Sequence, residues 1–113
     1  MEASEVPAPA TLVDVLPELA QELEVLLMVQ DESTLAGQVA ELKIVDRCRC
    51  GDGFCSTFYT LPKPDGAYGP GHRNVELNPE MGMLVLDIVD EKIAAVEVLN
   101  RAEIRERLHA LLP

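Results

Sequence analysis

Three cysteines stand close together at Cys48, Cys50 and Cys55, spaced C-x-C-x4-C, with His72 in the segment beyond. Three thiolates and an imidazole make a complete tetrahedral zinc set. The usual zinc knuckle is C-x2–4-C, whose turn lets both sulfurs converge. Cys48 and Cys50 in one strand instead point to the same face, about 7 Å apart along the chain. Cys55 sits across a hairpin from them and approaches either, and His72 closes a glycine-rich loop free to swing in. The competing reading makes the cysteines small buried apolar side chains in a reducing compartment. A Cys50–Cys55 disulfide and a reactive thiol beside Arg47 and Arg49 are two further readings. The odd cysteine count argues against a disulfide framework.

Catalytic arrangements are thinner. His72 with Tyr59, Tyr68, Asp52 or Asp65 makes an acid–base pair only if folding brings them together. His109, one residue after an inward Leu108, reads as half-exposed on a final helix. Asp46 and Asp87 fall inside strands, either buried or paired with Arg47, Arg49 or Arg73. The sequence contains no G-x-S-x-G, H-E-x-x-H, phosphate loop or dinucleotide fingerprint. The stretch Pro62–His72 is no anion cradle, because its prolines remove N–H donors and it leads into a strand rather than a helix. It reads as a surface connection displaying Tyr68, His72 and Arg73, and tyrosine and arginine are side chains that anchor interfaces. These residues do not mark an enzyme.

Charge supplies a second candidate site. The 113 residues carry 9 Lys and Arg against 20 Asp and Glu, a net charge of −11. Nine of the acids and none of the bases lie in residues 1–42, so the N-terminal third holds −9 and the remainder −2. An acidic surface disfavours nucleic acid. No apolar run reaches the roughly 18 residues of a membrane span, and the first ten residues lack the pattern of a signal peptide, so a cytoplasmic protein is expected. Asp14, Glu18 and Glu22 lie four apart on one helix face, where like charges repel by a few tenths of a kcal/mol per pair. Together they form a docking surface for a basic protein partner, as immunity and antitoxin-like proteins use. The plainer alternative is a solvated face that keeps a leucine-rich domain soluble.

The elements that must position these residues follow from periodicity. Residues 1–10 read as a flexible arm and 11–113 as one domain. Leu12, Val15, Leu16, Leu19, Leu23, Leu26 and Leu27 recur at three- and four-residue spacing, which predicts an amphipathic helix. Pro17 restricts its start to near Asp14 as N-cap. Ser33 or Thr34 caps a short second helix through about Ala40. Strands are expected at Lys43–Arg49 and Phe54–Leu61, turning around Gly51-Asp52-Gly53, then at Arg73–Asn78, Met83–Val89 and Lys92–Leu99. The last two form a hairpin turning at Asp90-Glu91, apolar on both faces like a strand pair covered on two sides. Asn100 caps a final helix, with Glu103 as its capping-box partner.

Helices at both ends of a run of strands predict an α+β domain. It has a mostly antiparallel four- to five-stranded sheet, two N-terminal helices and one C-terminal helix. The block VDRCRCGDGFCSTFYT and the hairpin LDIVDEKIAAVEVL before a helix resemble small uncharacterised bacterial domains, a resemblance that implies no activity. A hairpin apolar on both faces over three helices leaves one sheet face or the leucine stripe bare, and a homodimer is the expected cover. Function is accordingly expected to be either a non-catalytic acidic interaction module with no cofactor, or a small zinc-binding or thiol-redox protein.

Overall fold

A computed structural model describes residues 9–113. The expected arm therefore lies outside the described residues except at its end, where Ala10 joins Thr11 in a short strand β1 (Ala10–Thr11). Two helices follow, α1 (Leu12–Val15) and α2 (Pro17–Val29), in place of one. Pro17 is the first residue of α2, where its missing N–H costs nothing. The N-cap of α1 is Thr11 rather than Asp14: the Thr11 hydroxyl accepts from the Asp14 amide at 3.2 Å. Next come α3 (Ser33–Ala36), a 3-10 turn (Val39–Glu41) and β2 (Lys43–Ile44), which pairs antiparallel with β1.

The main sheet holds β3 (Asp46–Arg47), β4 (Phe58–Tyr59), β5 (His72–Leu77), β6 (Met83–Val89) and β7 (Lys92–Leu99) in the order β3-β4-β7-β6-β5, all antiparallel. The chain ends in α4 (Ala102–Leu111). This is the expected α+β class with a C-terminal helix. The β6–β7 hairpin has the predicted bounds, and its two-residue turn puts Asp90 at φ +51° and Glu91 at φ +63°. Both residues at positive φ match the twist of the strands they join. Asn100 also adopts positive φ (+63°) and ends β7, leaving Arg101 as the residue before α4 with no side-chain cap. Glu103 accepts from Arg101 Nε at 3.4 Å.

One face of the sheet carries the core. Phe58, Val75, Leu77, Leu84, Leu86, Ile88, Val96 and Val98 bury against Leu12, Leu16, Leu19, Leu23 and Leu27 of α1–α2 and Ile104 and Leu108 of α4. The opposite face corrects the expectation of an apolar hairpin on both sides. Alternation along β6 and β7 sets Val85, Asp87, Ala95 and Glu97 on that outer face, and the segment after Tyr59 lies beside it. The sheet centre thus has its own cover of Lys63, Pro64, Gly66 and Tyr68. No helix among the described residues is long and apolar enough to cross a membrane.

Candidate metal centre

The three thiols converge. Their Sγ atoms all lie within 4.8 Å of one another. Zinc–sulfur bonds of about 2.3 Å at tetrahedral angles put sulfurs about 3.8 Å apart, so contraction of about 1 Å or less completes the geometry. Convergence departs from the strand reading because β3 stops at Arg47. The Cys48 amide still donates across to Thr57 O at 2.9 Å, but Cys50 lies outside the ladder and Gly51 turns the chain at φ +84°. Cys55 returns on the far side, bridged to Leu99 at the end of β7, and its amide donates to Asp52 O at 3.2 Å. Ser56 N to Val98 O (2.7 Å) and Asn100 N to Phe54 O (2.8 Å) fasten this return strand to β7. All three cysteines are reduced, with Cys48 and Cys55 half-buried and Cys50 exposed.

The thiols are unequal. Burial pushes Cys48 up to about 11, with the Cys55 charge adding to the rise. Burial also raises Cys55, but hydrogen bonds from the Thr57 side chain and backbone and from Cys50 and Cys48 outweigh it and leave Cys55 below its ordinary value. Cys55 Sγ lies 3.4 Å from Thr57 Oγ1.

A pocket of about 250 Å³ opens beside the thiols, lined also by Arg47, Arg49, Arg105 and His109. Arg47 and Arg49, on either side of Cys48, reach over to α4. Arg47 Nε donates to Leu112 O, and Arg47 Nη2 and Arg49 Nη1 donate to Pro113 O at 3.2 and 2.9 Å. Arg105 Nε is shut off from solvent and has no acceptor among the described residues. Partial burial and the charges of Arg47, Arg105 and Arg49 lower His109 below its usual value.

His72 is not brought to the cysteines. It lies on β5, the edge strand opposite β3, and its Nε2 is 2.8 Å from Asp87 Oδ1. Asp87 is 6% exposed and also accepts from Asn74 Nδ2 at 2.7 Å. Tyr68 stacks on the His72 ring with centroids 4.7 Å apart. Asp87, Glu97, Tyr59, Tyr68, Lys63 and Cys48 line a cleft of about 370 Å³ over the sheet centre. A hydrogen bond with Asp87, burial and the Asp87 charge together lift Glu97 to about 7. Burial raises both tyrosines. Asp87 is buried, as one of its two expected readings has it, with His72 and Asn74 rather than an arginine as partners. Glu97 beside it escaped the sequence reading; alternation within β7, Glu97 against Val98, is the signal that carried it.

Four of the five expected partner-binding residues, Glu18, Glu22, Tyr68 and Arg73, are engaged within the chain. Glu22 takes a two-pronged bond from Arg101 (2.8 and 3.2 Å) and Glu18 one from Arg107 (3.2 Å). Backbone and Arg107 hydrogen bonds hold Glu18 below its ordinary value. Arg73 forks onto Glu91 at 2.9 Å and Glu32 at 3.2 Å, which raises it further above its already high range. Asp14 is exposed.

The described residues thus define a small α+β domain with a three-thiol cluster at one sheet edge and a carboxyl–histidine cleft over the sheet centre. Comparison with protein-family models, with curated proteins and with solved structures finds no match.

Proposed function

We propose that the chain is a small zinc-binding protein in which Cys48, Cys50 and Cys55 hold the metal as thiolates. The observation that carries this reading is the approach of all three Sγ atoms to within 4.8 Å of one another. A core-filling role does not require convergence, and Cys50 is exposed rather than buried. A disulfide reading pairs two sulfurs and leaves the third without a purpose. On binding, the three thiols would give up their protons, and zinc among them would neutralise the thiolate charges. Metal bound there ties Cys48 and Cys50, which follow β3, to Cys55, which precedes β4. Two strands of two residues each need such a fastening.

Elemental analysis of protein purified without chelator tests the reading. One zinc per chain, lost on Cys55→Ser, supports it. Metal-free protein that takes up no added zinc overturns it.

The acidic interaction module, of the immunity or antitoxin kind, rests on the charge of residues 1–42. It is weakened by the internal partners of Glu18 and Glu22. A homodimer draws its support from exposed Val25, Met28 and Val29 on α2. Light scattering at micromolar concentration that gives the monomer mass rejects it.

A further inference from the structure

A zinc ion on three thiolates needs a fourth donor, and the pocket beside the cysteines offers two candidates among the described residues, Asp52 and His109. Both line it without belonging to the group of donor atoms that already converge. Asp52 is an exposed loop residue whose carboxylate is a hard oxygen donor. His109 is half-buried in the last turn of α4, four residues beyond Arg105, so both project from one helix face toward the cysteine pocket. No hydrogen bond holds the His109 ring among the described residues, whereas His72 is fixed by Asp87. Imidazole is the commoner companion of three thiolates.

The position of α4 is set from the cysteine segment itself. Arg47 and Arg49 bracket Cys48, and both donate to the carbonyls that follow α4. The end of the helix that bears His109 is therefore anchored to the same segment that presents the first two thiols. Arg105 lines the same pocket, and its Nε is buried with no acceptor, sulfur included, among the described residues. A centre of Zn²⁺ with three thiolates and a neutral imidazole carries one net negative charge. Arg47, Arg49 and Arg105 surround that position with positive charge.

Resting on the zinc reading above, we infer that His109 supplies the fourth ligand, so that the metal joins the cysteine loop to α4 in a Cys3His site. Metal occupancy would then secure the last helix as well as the edge of the sheet. The same geometry excludes His72 from the site.

Cobalt(II) and zinc titrations of the full chain test the inference, with His109→Gln, His72→Gln and Asp52→Asn beside the unaltered protein. Visible cobalt bands report the ligand set, and chelator competition reports zinc affinity. His109→Gln should shift the cobalt bands and lower zinc affinity more than about 100-fold, beyond the loss expected for a residue that only supports a ligand. His72→Gln and Asp52→Asn should leave both unchanged. Long-range proton–nitrogen NMR of the unaltered chain gives a readout independent of any variant: zinc should lock the His109 ring into one tautomer with a shifted ring nitrogen. Failure of the unaltered chain to bind either metal removes the zinc reading and this inference together. Binding that is lost on Cys55→Ser but unmoved by His109→Gln, with no change in the His109 ring, overturns the inference and leaves the zinc reading standing. A cobalt spectrum moved by Asp52→Asn instead also overturns it.

Discussion

Replacement of Glu97 by glutamine should stabilise the protein above neutral pH and leave it unchanged in acid. Glu97 and Asp87 are diagonal neighbours on the outer face of β6 and β7, since Val85 pairs with Glu97 and Asp87 with Ala95. Asp87 is held by hydrogen bonds to His72 and Asn74, and its hydrogen bond and charge lift Glu97. Its carboxyl is lifted from 4.5 to about 7. Between those values the folded chain binds more protons than the unfolded one, so stability falls as pH rises through this window and stays reduced above it. At about 1.4 kcal/mol per tenfold, full conversion gives an upper bound of about 3.5 kcal/mol. Solvent access to Glu97 reduces this to about 1 kcal/mol. Glutamine keeps a donor for Asp87 and removes the titration. Tyr59 and Tyr68, both raised above their ordinary value, stay neutral from about pH 4.5 to 8 in either protein, and the His72 charge already opposes the rise at Glu97. Urea unfolding at pH 4.5, 6 and 8 measures it. The variant should match the unaltered protein at pH 4.5 and exceed it by about 1 kcal/mol at pH 8. A difference of the same size at all three values would refute the shared-proton argument.

The remaining predictions concern stability. Arg101→Ala should cost about 2 kcal/mol by urea unfolding, because its guanidinium is 11% exposed and serves Glu22, Glu103 and Met81 O together. Arg107→Ala should cost under about 0.5 kcal/mol, since its pair with Glu18 is largely in water. Gly82→Ala puts a Cβ 2.3 Å from Leu99 O at φ +72° and should cost more than about 2 kcal/mol; Gly51→Ala, at φ +84° with open space around it, should cost about 1 kcal/mol. Thermal melts with zinc at 1,000 times its dissociation constant should gain about 4 kcal/mol over chelated protein. No gain would place the metal outside the folded structure.

The long, strongly patterned elements were legible in the sequence. The leucine spacing of α2 and the bounds of β6 and β7 follow from periodicities that tertiary contacts reinforce. The sheet edges were not. Lys43–Arg49 read as one strand, but its halves pair with different partners, Lys43–Ile44 with β1 and Asp46–Arg47 with β4. Alternation cannot reveal a change of partner. The caps failed for a related reason. Thr11, Asp14 and Asn100 are all acceptable capping residues, and the choice among them fell to the turn that each neighbour had to make. The cysteines were visible by type, while their convergence depended on where β3 stops. His72 drew notice through its nearness in sequence, yet strand order carries it to the far edge. His109 belongs to the other end of the chain, and only the docking of α4 brings it to the thiols.

The charge segregation resolves in the same way. Residues 1–42 read as a block of unpaired acids because no Lys or Arg occurs among them. In the folded chain Glu18, Glu22 and Glu32 meet Arg107, Arg101 and Arg73, all from its second half. The helix that carries the acids packs its leucines on the sheet, and its rim then lies beside α4 and the start of β5, where those arginines are. A like-charge row that is unfavourable on an isolated helix becomes favourable once the opposite charges are brought alongside, most of all at Glu22, whose partner is nearly buried. Glu18 and Glu22 of the row are therefore accounted for by assembly of the domain itself, while Asp14 stays exposed. The thiol cluster has no comparable ion-pair partner among the described acids and bases: its sulfurs lie within 4.8 Å of one another, with Arg47, Arg49 and Arg105 lining the pocket beside them.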